Sequence, residues 1–497
     1  MIKDNLKIHD SMRFEVKIGY ELSDNLPSTS YKIDSYFFIP NNLGINEETY
    51  SRSDFFNDLQ VYIRLKTPAY VLDDLNQENN LIFSSLKDSM QAATRDICSK
   101  NIQNYEKHLK LFCCIFKASL RDHVDYIYHK TSVQDEEILI KKFLTSVHTI
   151  TTRFRQMREL ITVPGFPEKS FSIYLFSDEY ISLLIEQSSF KIIQILKHRE
   201  RGNSELSNNL FELLTAETNY RKQNKYPTIA SSDSDNEEFL FRFSVLKKYM
   251  GSILFLKLHR QKRYKLIEHL LFAFAAGISM IMATSIAFYC QIRLGNLTFP
   301  FFVALVISYM FKDRIKEIFK QYFLSTTRKY LHDQNHSFFY SLEQTIGSCS
   351  ESVDFCVAES VPEKVLELRN CDHITEIENG WCGQSIIHYQ RHIQIFSSTI
   401  RKTLKDFPVK TVNDILRFNI SKFLENMDNP QKILYCVSGS DLVKVASERV
   451  YHINLIMRFL FEDHKERFKR FRIILNRKGI LRVEEIGLKL VREGSRN

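Results

Sequence analysis

Between Glu268 and Arg293 the chain carries no residue of fixed charge, and Leu270 to Cys290 is apolar almost throughout. No other feature constrains the fold as tightly. As a helix this stretch reaches roughly 30 Å, the thickness of a bilayer's hydrocarbon core. A second uncharged run, Leu294 to Phe311, would span about 27 Å, enough for a thin bilayer. Pro300 stands near its start, where a missing amide proton costs little. The connection from Gln291 to Asn296 is short and polar, and Gly295 and Asn296 suit a turn.

The flanks set an orientation. Lys257, Arg260, Lys262, Arg263 and Lys265 precede the first run, and Lys312, Arg314, Lys316 and Lys320 follow the second. The turn between them carries only Arg293. Lys and Arg are retained on the cytoplasmic side, so both flanks are expected to face inward. A hairpin buried in a soluble core would not call for cations massed at both outer ends. The expectation is therefore a two-helix transmembrane hairpin: helix 269–292, external turn 293–296, helix 297–311. It would sit multi-pass in a bacterial inner (plasma) membrane, with both termini cytoplasmic. Ala273, Gly277, Ser279, Ala283 and Ala287 form a small-residue seam through which a second copy could approach closely.

A chain of 497 residues exceeds one ordinary core, so several domains are expected around this hairpin. With only 14 Gly and 10 Pro, its composition favours long helices over a turn-rich all-β protein. The patterning predicts an α+β membrane protein. Residues 1–223 read as a mainly α-helical cytosolic domain with a small β-element at 12–40, where MRFEVKIGYEL and YKIDSYFFIP alternate apolar and polar residues. Ser51 is a candidate N-cap with Asp54 three residues on, and Val133–Leu160 carries an apolar stripe with an acidic first turn and a basic last one. An acidic linker (224–238), a helix leading into the membrane (239–268) and an amphipathic stalk helix (312–345) follow in this reading. The cytosolic 346–497 region reads as mixed α+β, with strands at 385–396, 432–445 and 450–461, a helix near 411–427, and a hairpin around FRIILNRKGILRVEEI.

Nine cysteines without a C-x-x-C pair suggest reduced, buried thiols rather than a disulfide framework. The first residues lack an apolar signal region, so a secretory leader is not expected. Phosphate-loop, dinucleotide, nucleophile-elbow and H-E-x-x-H signatures are all absent from the sequence.

Three clusters carry candidate chemistry. Cys371, His373, Cys382 and His388 are potential zinc ligands, although their spacing fits no familiar closed site. Cys382 could act as a nucleophile with His388 or His392 as its base, against the commoner role of a lone Cys as a small buried hydrophobe. Lys469, Arg470, Arg472, Arg477 and Lys478 could meet an anionic surface, lipid before nucleic acid, or could simply guard a solvated strand edge. No catalytic residue, metal or cofactor is assigned. The function expected is a non-enzymatic scaffold, sensor or assembly factor, whose partners are the lipid bilayer and other membrane or cytosolic proteins. The alternatives are a membrane-anchored enzyme using the Cys382 region and a tethered binder of anionic lipid or nucleic acid through 464–482.

Overall fold

In a computed structural model the chain is described except for residues 1–2, 23–25, 78–79, 130–131, 200–204, 230–234, 261–262, 296–297, 329–331, 341–343, 371–382, 405–408, 440, 462–465 and 488–497. It begins with three strands, β1 (Lys3–Asp10), β2 (Arg13–Glu21) and β3 (Thr29–Pro40), then α1 (Arg52–Asp58) and β4 (Leu59–Leu65). A run of helices follows: α2 (Leu72–Asn76), α3 (Leu81–Arg95), α4 (Ser99–His129), α5 (Val133–Gln156), α6 (Arg158–Ile161), α7 (Glu168–His198), α8 (Glu205–Gln223) and α9 (Glu237–Gly251). The short β5 (Lys257–Arg260) leads to two long helices, α10 (Arg263–Leu294) and α11 (Phe299–Arg328). The remainder is mostly strand: β6 (Gln334–Phe339), β7 (Thr345–Cys356), α12 (Glu363–Asn370), β8 (Gln384–Ile395), α13 (Ser397–Thr403), β9 (Thr411–Asn419), α14 (Ser421–Leu424), β10 (Gln431–Ser438), β11 (Asp441–Glu448), β12 (Tyr451–Phe461), β13 (Glu466–Asn476) and β14 (Gly479–Ile486).

These elements form two units. The first comprises residues 1–62, 257–400 and 414–497; the second comprises 63–256 and 401–413. The N-terminal strands thus belong with the C-terminal ones rather than with the helices that follow them in sequence. β3 explains why. It pairs antiparallel with β8 on one side and with β12 on the other, at the centre of an eight-stranded sheet ordered β14-β13-β12-β3-β8-β7-β6-β5. A strand so placed is covered on both faces, and β3 is buried along most of its length.

One face of this sheet meets the smaller sheet, ordered β1-β2-β9-β4, through aromatic rings. Phe418 lies 5.6 Å from both Phe14 and Phe37 and 5.2 Å from Phe55, centroid to centroid. Such ring contacts combine large apolar burial with favourable edge and face geometry. On the opposite face Tyr36, Phe38, Ile386, Ile456 and Phe468 are covered by Val365 of α12 and by Val361 just before it. Ser51 caps α1 with the reciprocal hydrogen bonds of a capping box: the Ser51 hydroxyl accepts from the Asp54 amide, and the Asp54 carboxylate accepts from the Ser51 amide.

The second unit is a helical bundle whose interior is a file of rings. Phe83, Phe112, Phe154 and Tyr174 follow one another at 4.9, 5.3 and 5.1 Å. Cys113 and Cys114 are buried in it, and burial pushes both thiols up, so they pack rather than react.

Several expected elements change. The region 239–268 is not one helix: α9 stops at Gly251, and β5 intervenes before α10. The stalk expected over 312–345 ends by Arg328, and β6 and the start of β7 occupy the rest. At 411–427 the expected helix is β9 followed by the single turn α14. Strand 432–445 is the β10–β11 hairpin, folded at Gly439, whose φ of 68° suits glycine.

The two-helix transmembrane hairpin is also corrected. Among the described residues only α10 contains a segment long and apolar enough to cross a bilayer, His269–Arg293, with a mean hydropathy of 2.0. α11 does not. Leu294 is spent on the end of α10 and Gly295 on the turn, so α11 begins only at Phe299. Its apolar part, 299–311, rises about 20 Å before Lys312, short of the roughly 30 Å required.

Candidate functional site

α10 and α11 nevertheless pack antiparallel as an arm. Ser308 donates a hydrogen bond from its Oγ to the Ala283 carbonyl at 3.1 Å, and Phe274 meets Phe323 at 5.8 Å. Ser279 and Ala275 are buried, which uses part of the small-residue seam within one chain. Of the residues expected to receive a second copy, Ala273 and Gly277 remain exposed, whereas Ala283 and Ala287 are half-buried.

The arm's outer surface is oily. Leu270, Phe274, Ile281, Phe288, Ile292, Phe299, Phe302, Met310 and Phe311 all lie on it, and Ile292 is 83% exposed. Nine such side chains, each showing on the order of 100 Å², give about 900 Å² of apolar surface, above the few hundred that soluble monomers tolerate. Basic side chains lie on the half of α11 that runs toward β6, where Lys312 lies over the Tyr309 ring at 4.4 Å and Lys320 over the Phe272 ring at 4.8 Å. β5 and β6, which bracket the arm, pair with each other, Lys257 opposite Phe339 and Arg260 opposite His336. The arm therefore leaves and rejoins one edge of the large sheet.

Polar chemistry in the first unit gathers at two places. Between the sheets, buried Arg391 donates from Nε and Nη2 to the two oxygens of Asp414 at 2.8 and 3.0 Å, and from Nη1 to Glu351. Tyr389 also donates to Glu351, and His336 Nε2 lies 3.4 Å from it. Burial pushes the Glu351 carboxyl up, but Arg391, His336 and Tyr389 outweigh it and hold the pKa at about 2. Arg391 is shared by both carboxylates, and burial with the Glu351 charge still keeps the Asp414 pKa above its ordinary value; groups so committed to one another mark the triad as structural.

On the outer face Asp34 is ringed by cations and donors. His388 Nε2 stands 3.6 Å from it, Lys32 Nζ 3.4 Å, and Gln390 Nε2 donates at 3.2 Å. The His388 ring stacks on Tyr36 at 4.3 Å. Burial lowers the affinity of His388 for a proton, but Asp34 and the Cys356 thiol outweigh that and raise its pKa above the ordinary histidine value.

In the second unit a cleft of about 310 Å³ is lined by His148, Thr151, Arg155, Glu217 and Tyr220 among others. Its charges are likewise internal. Arg155 donates to both oxygens of Glu217 at 3.1 and 2.8 Å and lies over the Tyr220 ring at 3.4 Å. Tyr220 and Tyr226 donate to Asp178 at 2.7 and 3.1 Å.

The candidates read from the sequence fall as follows. Cys371, His373 and Cys382 lie outside the described residues. His388 belongs to the Asp34 cluster, and His392, on the same face of β8, is exposed. Among the described residues no group of three His, Cys, Asp or Glu side chains is arranged to hold a metal. Of the basic set, Arg470 is buried and donates to the Leu368 carbonyl and Asn454 Oδ1 at 2.9 and 3.1 Å. Lys469 pairs with Glu485, and Arg472 with Glu484. Arg477 and Lys478 are exposed at the turn. Sequence reasoning missed the Arg391 triad, although Tyr389 and Arg391 share strand parity with the inward-facing Ile387, Ile393 and Ile395.

Fold and clusters together define an α+β protein with an apolar helical arm. No family model matches the chain, and neither a curated protein nor a solved structure matches it.

Proposed function

We propose that this chain is a membrane-anchored scaffold or sensor, held on a lipid surface by the α10–α11 arm. The observation that carries the reading is the arm's exposed apolar surface. Moving about 900 Å² of such surface from water into hydrocarbon is worth roughly 20 kcal/mol at about 25 cal/mol per Å², far more than ordering the chain at a surface costs. Lys312, Arg314, Lys316 and Lys320, along the half of α11 toward β6, are the groups that would meet anionic headgroups. Because β5 and β6 pair with each other, both ends of the arm stand at one edge of the large sheet. A binding role is favoured over catalysis by the mutual pairing inside the Arg391, Asp34 and Arg155 clusters, which leaves their charged groups committed to each other.

The test is flotation of the purified full-length chain with vesicles containing anionic lipid. The chain is expected to rise with the vesicles. A variant carrying Leu270→Ser, Phe274→Ser, Ile281→Ser and Phe288→Ser is expected to stay at the bottom while keeping its circular dichroism. Equal flotation of both proteins would remove the arm from the anchoring role.

A further inference from the structure

We propose that the β10–β11 hairpin is a dimerisation element, in which the open edge of β10 pairs antiparallel with the same edge of a second copy. The hairpin is a sheet of two strands only; among the described residues neither strand pairs with another. Its side chains are exposed on both faces. Ile433, Tyr435, Val437 and Leu442 lie on one, and Leu434, Val443 and Val445 on the other, with Val437 at 76% exposure. A lone two-stranded ribbon is marginal in water, and an apolar open edge is a template for a further strand.

The sequence of β10 is self-complementary. Antiparallel strands related by a two-fold axis normal to their sheet must set residues of equal parity opposite one another, so the axis falls on a residue. Placed on Tyr435, it sets Leu434 opposite Cys436 and Ile433 opposite Val437, and Lys432 meets position 438. Apolar faces apolar, and no like charges meet. β11 offers no register as apolar: an axis on Ala446 sets Val445 against Ser447 and Lys444 against Glu448. An axis on Lys444 would bring two ammonium groups together, and one on Val445 would set Leu442 against Glu448. Lipid is a poorer occupant: Asp441 stands at the tip, and Lys432, Lys444 and Glu448 punctuate the strands, so insertion would bury charge without a partner. Edge pairing of eight residues lies below the roughly 1,600 Å² of a standard interface, so the dimer is reversible and depends on concentration.

The test uses the full chain in detergent. Sedimentation of the unmodified protein is expected to show a monomer–dimer equilibrium. Val437→Lys sets an ammonium against Ile433 of the second copy and is expected to weaken the dimer about tenfold or more, the factor equivalent to ~1.4 kcal/mol. In a Cys436→Ser background, Tyr435→Cys brings two thiols face to face at about 5 Å between Cα atoms, within disulfide reach. Mild oxidation should then give a covalent dimer, whereas Asp441→Cys in the same background should not. A monomer at all concentrations with no crosslink through position 435 would overturn the proposal. So would equal crosslinking through position 441, or loss of vesicle binding by Val437→Lys with its mass unchanged, which would assign the hairpin to lipid.

Discussion

Replacing Arg391 with methionine probes the interior of the first unit most sharply. The side chain is about 1% exposed and is held by Asp414 and Glu351, themselves about 1% exposed. Methionine fills similar length but leaves two carboxylates in a dry space without their guanidinium. Breaking such a buried ion pair on one side costs about 3–5 kcal/mol, because the remaining charge cannot be solvated. Hydrogen exchange read on peptides covering β7, β8 and β9 is the suitable assay, since it reports opening of this sheet rather than of the whole chain. The opening free energy there is expected to fall by that amount, roughly a factor of 10²–10⁴ in protection. Adding Glu351→Gln and Asp414→Asn to Arg391→Met should recover much of the loss, since removing every charge is far cheaper than orphaning two. A single variant losing less than about 1 kcal/mol, within the range of an exposed pair, would refute the assignment of a dry, mutually satisfied triad.

Further outcomes follow from the same chemistry. The Glu351 carboxyl, held at about 2 against an ordinary 4.5, contributes stability that is complete above 4.5 and disappears as pH falls toward 2. That is roughly 3 kcal/mol, and Glu351→Gln should abolish this part of the acid dependence in a pH series of the same exchange experiment. His388 has a raised folded pKa, so its contribution is present below about 6.5 and is lost as pH rises through the folded value. Its ring resonance should titrate above 6.5, and Asp34→Asn should bring that midpoint down. Ser51→Ala removes the capping box of α1 and should cost about 1 kcal/mol in local exchange at the helix start, with little change elsewhere.

What was legible in the sequence was local. Alternation in SIIHYQRHIQIF and VYHINLIMRFLF marks β8 and β12, and the NRKG turn marks the β13–β14 hairpin, where Gly479 takes a φ of 134° against the Ser11 carbonyl. Ser51 and Asp54 announce a capped helix, but nothing local marks its early end, where LQVYIRL continues as β4. β9 deceived by spacing: Val412, Ile415 and Leu416 mimic the i, i+3, i+4 stripe of a helix, and only pairing between β2 and β4 makes them a strand. Pairing of β3 with strands more than 340 residues away has no local signature at all. In the arm, hydropathy found both runs, but the exact start of α11 decides whether the second is long enough, and helix boundaries are the least legible feature of a sequence. Inward-pointing Arg391 was visible by parity, yet its partners lie 40 and 23 residues away: Glu351 comes opposite it only through β7–β8 pairing, and Asp414 only when the second sheet faces the first.

Lipid anchoring by the arm is tested most directly by alkaline carbonate extraction of membranes from cells expressing the full chain. Peripheral proteins held by charge are released, whereas a chain holding apolar helices in hydrocarbon is retained. The unmodified chain is expected in the membrane pellet, and the Leu270→Ser, Phe274→Ser, Ile281→Ser, Phe288→Ser variant in the soluble fraction. Release of the unmodified chain into the wash would contradict anchoring by the α10–α11 arm.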